Sequence, residues 1–195
     1  LCWEEFVQLF TVSANATLKK RGCTWDLMID SGNTPTLQQI HLYLTYNREF
    51  RGDLHKGLML QGAIGCGKSL LMESYAHLQN WMIRKFSMRY GVAAFINSLE
   101  LVNRLKTDDV KMYANRPLII DEFGREPKQM MHYGNVSTPM IDLLCARADR
   151  AVITHGTTNF RLETLASDEY YGAMVGDRLR AMFNFVTLSG ESRRR

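Results

Sequence analysis

The sequence predicts an α/β domain built on an open, five-stranded parallel sheet flanked by helices, and three observations lead there. From residue 57 onward, short apolar runs alternate with stretches of helical periodicity. The runs lack polar alternation, as strands covered on both faces do, and a helix between successive strands implies parallel crossovers. A glycine-rich octet follows directly on the first run. With 195 residues, 46 % of them hydrophobic and 23 % charged, the chain can bury a core without a disulfide or a structural metal.

Residues 1–55 read as a helical lead-in and linker, and 56–195 as the α/β domain. In the lead-in Trp3, Phe6, Val7 and Phe10 lie three to four apart, the spacing of one helix face. Arg21-Gly22 and Ser31-Gly32-Asn33 read as turns. A second helix is expected from Thr34-Pro35, with Thr34 as cap, through Leu37, Ile40 and Leu44. The five expected strands are Leu58-Met59-Leu60, Ala93-Ala94-Phe95-Ile96, Leu118-Ile119-Ile120, Ala151-Val152-Ile153 and Phe185-Val186-Thr187-Leu188. Between the last two, Gly176-Asp177-Arg178-Leu179-Arg180 belongs to an amphipathic stretch ending near Phe183.

Composition excludes several classes. No apolar run approaches the length of a membrane span, and the start lacks the order of a signal peptide, so a cytoplasmic protein with no membrane partner is expected. The first residue is Leu1 rather than Met, which leaves open a portion ahead of it. Cys2, Cys23, Cys66 and Cys145 form no C-x-x-C pair and the histidines fall at no ligand spacing, so reduced thiols and no zinc are expected. His132 beside Tyr133 fits a site histidine in a loop, and better an ordinary exposed or hydrogen-bonded histidine. The net charge is +4, and its surplus lies in residues 56–116, with nine basic and four acidic side chains.

The octet Gly62-Ala63-Ile64-Gly65-Cys66-Gly67-Lys68-Ser69 matches G-x-x-x-x-G-K-[ST] in full. Glycines let backbone amides curl around phosphates, and the helix that follows adds its partial positive charge. Gly62, Gly65, Cys66, Gly67, Lys68, Ser69 and Leu70 are the expected contacts to ATP. Lys68 would reach the β- and γ-phosphates, and the Ser69 hydroxyl would bind Mg2+. Leu71, Tyr75, Leu78, Met82 and Phe86 give the next helix an apolar face for the sheet. Cys66 reads as a small filler.

The third run ends in Asp121-Glu122, at the sheet edge where the octet also lies. Asp121 would hold the Mg2+, and Glu122 would polarise the water that attacks the γ-phosphate. A kinase has no need of that second acid. After the fourth run comes Thr154-His155-Gly156-Thr157-Thr158-Asn159, from which Asn159, with Thr158 second, could face the γ-phosphate; a simple turn and helix cap gives the same letters. The arginines near residue 178 are either solvated surface or a finger offered to a neighbouring subunit.

In this order, GAIGCGKS, LIIDEFG, HGTTNF and GDRLRAMFNFVTLSGESRR resemble the AAA+ ATPases of the DnaC helicase-loader and IstB transposition-helper group, over about residues 55–194. The terminal Gly190-x-Ser192-x-Arg194 adds to the resemblance. It implies a P-loop NTPase fold of AAA+ type, Mg2+-dependent ATP hydrolysis, Asn159 in the first sensor position and Arg178 as the arginine finger. Arg147 also matches a recurrent arginine of the group, and Arg180 or Arg147 could take the finger's place. Implied partners are further copies of the chain, head to tail in a ring or filament, a replicative helicase or a transposase, and single-stranded DNA. The segment Ser98–Arg116 is short and Phe123–Pro139 long for the group. A small-molecule kinase with a phosphate loop and a nucleotide-switched adaptor are the readings from other classes.

Trp81, Arg84, Lys85, Phe86, Arg89 and Tyr90 interleave aromatics with cations, and Arg104, Lys106 and Lys111 follow. Single-strand binders use that mixture, and a helix that buries its aromatics and solvates its cations has the same sequence.

Overall fold

The computed structural model describes residues 1–88, 91–132 and 135–193, with the backbone alone for 130–132 and 135–136. Arg89, Tyr90, Tyr133, Gly134, Arg194 and Arg195 lie outside the described residues, and with them part of the aromatic–cationic run and the end of the Gly190-x-Ser192-x-Arg194 motif.

Five parallel strands form the sheet, β1 (Gly57–Gln61), β2 (Ala94–Asn97), β3 (Leu118–Phe123), β6 (Thr154–Thr158) and β7 (Phe183–Thr187), in the order β2-β3-β6-β1-β7. Between β3 and β6 the chain adds a two-stranded antiparallel hairpin, β4 (Met130–His132) and β5 (Asn135–Ser137), which accounts for the long Phe123–Pro139 segment. Helices α1 (Trp3–Lys20), α2 (Thr34–Leu44) and α3 (Lys68–Lys85) pack on one face, while α4 (Ser98–Arg104), α6 (Pro139–Asp149), α7 (Leu162–Leu165) and α8 (Ala173–Met182) cover the other. A single turn, α5 (Lys111–Ala114), adjoins α6.

The lead-in is built into this core. Helix α1 starts with a capping box, in which Cys2 Sγ accepts the Glu5 amide and Glu5 Oε2 accepts the Cys2 amide, and Glu4 and Glu5 in its first turn and Lys19 and Lys20 in its last suit the helix dipole. Its Phe6 and Phe10 are fully buried with Leu37 and Ile40 of α2 and Tyr75 of α3. Asn33, not Thr34, is the residue ahead of α2; Thr34 opens the helix and its hydroxyl bonds to the Asp30 carbonyl. On α3, Leu71, Tyr75 and Leu78 are buried as expected, but Phe86 caps the helix and is 60 % exposed, so the apolar face ends a turn early.

The fourth strand is displaced from the run expected to form it. Ala151 and Val152 end α6 instead: the Ala151 amide bonds to Ala148 O at 3.0 Å, the Val152 amide to Arg147 O at 3.2 Å, and Ala151 has φ 49°. That is a Schellman end with an alanine in the left-handed position. The strand is the polar stretch Thr154–Thr158, every residue of it buried. It tolerates burial because its polar groups are paired: Thr154 with Arg147, His155 Nδ1 with the Leu58 amide at 3.0 Å, Thr157 with Asp121, and Thr158 with the Phe123 carbonyl. Burial holds His155 neutral, with its pKa pushed down to about 3, and the Arg147 charge adds to the shift.

Candidate nucleotide-binding site

The octet lies between β1 and α3, at the carboxyl edge of the sheet. Gly65 and Gly67 adopt φ 84° and 107°, conformations closed to most side chains, and Gly67 leads directly into α3. Lys68 Nζ donates to the Gly62 and Ala63 carbonyls at 2.9 and 2.7 Å and lies 3.8 Å from Cys66 Sγ. Burial pushes the Lys68 ammonium pKa down, opposed by Cys66, Asp121 and Glu122. The loop thus holds its lysine folded back on its own carbonyls, with a cation beside the amides that would take a phosphate.

A cleft of about 230 Å³ opens over the loop. Residues 64–71 line it together with Glu122, Asn159 and Arg193, and so do Leu18, Arg21, Cys23, Trp25, Leu27 and Asn33 of the lead-in. Gly65, Cys66, Gly67, Lys68, Ser69 and Leu70, all expected from the sequence, therefore face the cleft, while Gly62 takes part through its carbonyl. Trp25 and Leu27 give the cleft an apolar wall that carried no recognisable signal in the sequence, since only the packing of α1 on α3 brings them there.

The acids end β3 as expected. Asp121 is buried and accepts the Thr157 hydroxyl at 2.6 Å. Burial pushes its carboxyl pKa up, and the nearby Thr157 and Ser69 hydroxyls draw it part of the way back. Glu122 follows at φ 62°, a strained conformation for a residue with a side chain, where the pairing of β3 with β6 shifts register. Its backbone is fixed from both sides: the amide bonds to Thr157 Oγ1 at 2.9 Å and the carbonyl accepts the Ser98 hydroxyl at 2.9 Å. Asn97 Nδ2 donates to Glu122 Oε2 at 2.9 Å, and Arg125 forms an ion pair with the same carboxylate.

The polar strand end divides its roles differently from the sequence expectation. Asn159 is exposed in the cleft. Thr158, the second choice, turns away: its hydroxyl donates to Phe123 O and accepts the Phe160 amide, so it is structural. Thr157, which the sequence did not single out, is the residue in contact with both acids. Asn97 was missed as well, because nothing marks an asparagine at a strand end until its neighbour is known.

The arginines separate in the same way. Arg147 is fully buried and donates to Thr154 Oγ1 at 2.8 Å, to the Arg116 carbonyl at 2.9 Å, to the Ile153 carbonyl at 2.8 Å and to the Tyr113 carbonyl. It fastens α5, α6 and the entries to β3 and β6 together, and is removed from the residues that could reach a neighbour. Desolvation lowers its pKa to about 10. Arg178 lies on α8 toward the other edge of the sheet, paired with Asp149 at 2.5 Å and with the Cys145 carbonyl at 3.1 Å, beside a second cleft lined by His55 and Met182. Arg180 is exposed.

No family model and no curated protein sequence matches the chain. Solved structures do. DnaI superposes with a TM-score of 0.61 at 21 % identity, covering 88 % of each chain. The DnaC helicase loader gives 0.61 at 21 % identity over 84 % of this chain and 93 % of that one. AMPPCP-bound DnaA from Aquifex aeolicus gives 0.53 at 16 % identity over 86 % of this chain and 50 % of that one. Likeness at these identities is one of architecture: the chain has the AAA+ P-loop NTPase fold found in DnaI, the DnaC helicase loader and DnaA.

Proposed function

We propose that the chain is an ATP-binding and ATP-hydrolysing AAA+ module that acts in DNA replication in the manner of a helicase loader, in the cytoplasm, with a replicative helicase as partner. One observation carries the reading: Lys68, Ser69 and Glu122 line one cleft over a complete phosphate loop, with Asp121 buried next to Glu122 at the end of β3. Lys68 and the loop amides bind the phosphates. Ser69 and Asp121 fit a Mg2+ ion, because they supply oxygen ligands, a hydroxyl in the cleft and a buried carboxylate held by Thr157. That ion, when bound, neutralises phosphate charge. Glu122 orients the attacking water and accepts its proton, and Asn159 faces the same space. Held by Asn97 and Arg125, the carboxylate must leave at least one of them to act as base.

Arg178 points away from its own phosphate loop, so its action on a nucleotide requires a second copy, head to tail in a ring or filament. Single-stranded DNA is assigned to the end of α3. Trp81 is 39 % exposed, Lys85 Nζ sits 4.5 Å over its ring, and Phe86 stands out beside them. A helix that buries its aromatics would not look like this. The names of the similar structures, a helicase loader among them, favour a helicase over a transposase as partner.

ATP hydrolysis by the purified chain tests the reading, with and without a helicase hexamer. Lys68→Ala should lose nucleotide binding, and Glu122→Gln should keep binding while losing turnover. Phosphate transfer to a metabolite instead of water, or no nucleotide binding at all, overturns it. DNA binding should weaken with salt at a slope of about −0.7 per phosphate neutralised.

A further inference from the structure

We propose that Arg193 is a ligand of the nucleotide's phosphate chain, supplied by the segment after β7 and held in place by Asp30. The inference rests on the proposed ATP site and adds to it a cation that lies outside the octet and the acids of β3.

The segment after β7 runs along the phosphate loop rather than away from it. The Leu188 amide bonds to Gln61 O at 2.8 Å, and five residues later the Arg193 amide bonds to Gly65 O at 2.9 Å. The two chains pack so closely that a Cβ on Gly62 would lie 2.4 Å from the Leu188 carbonyl oxygen, and one on Gly65 would lie 2.3 Å from Ser192 Oγ. Gly65 is thus glycine for two reasons: its φ of 84°, and the segment seated against it.

This seating delivers the Arg193 side chain into the cleft, where its Cδ would be 3.8 Å from a Cβ on Gly67. There it forms a two-pronged ion pair with Asp30, Nη1 to Oδ2 at 2.8 Å and Nη2 to Oδ1 at 2.7 Å. Asp30 is itself immobilised, since its Oδ1 also accepts the Gly32 and Asn33 amides at 2.9 and 3.2 Å. The Arg193 guanidinium beside it holds the Asp30 carboxyl down at about 2. The pair engages one N–H on each terminal nitrogen and leaves Nε–H and the outer N–H groups. A guanidinium so placed, beside the loop glycines and with donors to spare, suits a phosphate better than a lysine would. The pairing also explains an acid at the margin of an anion site: unpaired, Asp30 would repel the ligand, and paired, it fixes the cation that attracts it.

The test is the binding of a fluorescent ATP analogue, with ATP and ADP as competitors, together with the melting temperature of the nucleotide-free protein. Wild type, Arg193→Ala, Arg193→Lys and Lys68→Ala are compared. Arg193→Ala should bind ATP and ADP about 10-fold more weakly, with Arg193→Lys in between, and both should still fold, as a cooperative melt shows. Affinity of Arg193→Ala within twofold of wild type overturns the assignment and leaves the ATP site standing. Wild type that binds no nucleotide overturns both. If Arg193→Ala does not fold, Arg193→Lys decides: undiminished affinity there counts against a forked phosphate contact and overturns the proposal.

Discussion

Thr157 on β6 donates its hydroxyl proton to Asp121 Oδ1 at 2.6 Å. Thr157 Oγ1 in turn accepts the amide of Glu122 at 2.9 Å, so a single hydroxyl sets the position of both acids across the β3–β6 ladder. Thr157→Val keeps the shape and removes both bonds. It leaves the Glu122 amide without that partner, at a cost of about 1–3 kcal/mol in urea denaturation, and ATP turnover should fall about tenfold or more while ATP binding persists.

Arg178→Ala should bind ATP as wild type does and lose turnover by on the order of 10³-fold. The loss should appear only under conditions where wild-type activity rises with protein concentration. Unchanged turnover moves the role to Arg180, the exposed arginine two residues on in α8; Arg147 is spoken for by its four carbonyl and hydroxyl partners.

Arg147→Met, of similar length, should destabilise the fold by about 3 kcal/mol or more, because it orphans acceptors in α5 and at the entries to β3 and β6. Arg147→Lys should recover little of this, having no planar fork to reach them all. Denaturant midpoints of the two variants check both statements.

His155 is neutral in the folded chain down to about pH 3 and takes a proton near pH 6.5 when unfolded. The unfolded state therefore binds more protons between those values, and stability falls as pH drops below about 6.5, by up to about 1.4 kcal/mol per unit from this group. The Asp30 pair works at the other end: its contribution is complete above about pH 4 and is lost as pH falls through about 2. Between pH 4 and 6.5 the slope should flatten in His155→Asn, whose side-chain oxygen can still accept the Leu58 amide.

Ala151→Gly should raise stability by about 0.5–1 kcal/mol, since φ 49° at the end of α6 costs alanine what it does not cost glycine. Thermal melts of the two proteins suffice.

Much of this site could be read in the residues themselves. The octet, the acids after Leu118-Ile119-Ile120 and the parallel order of apolar runs all express local rules, and they fall where the fold puts them. The fourth strand could not be read that way. Val152 and Ile153 look more like a strand than Thr154–Thr158 does, and only the partners of those polar groups, on α6, β1 and β3, make the difference. Thr157 and Asn97 were hidden for the same reason, because their value lies in a neighbour distant in sequence. Trp25 and Arg193 reach the cleft through packing of segments that carry no motif.

The contact between Asp30 and Arg193 spans 163 positions. Contacts of such separation are slow to find, because the loop between them must be closed before they return any energy. The phosphate loop itself needs only β1 and the start of α3. A chain emerging from the ribosome therefore has its octet long before it has a whole cleft, and the cleft closes only when residue 193 is out. The wall of the cleft is thus completed by the segment after β7, however early the loop itself is made.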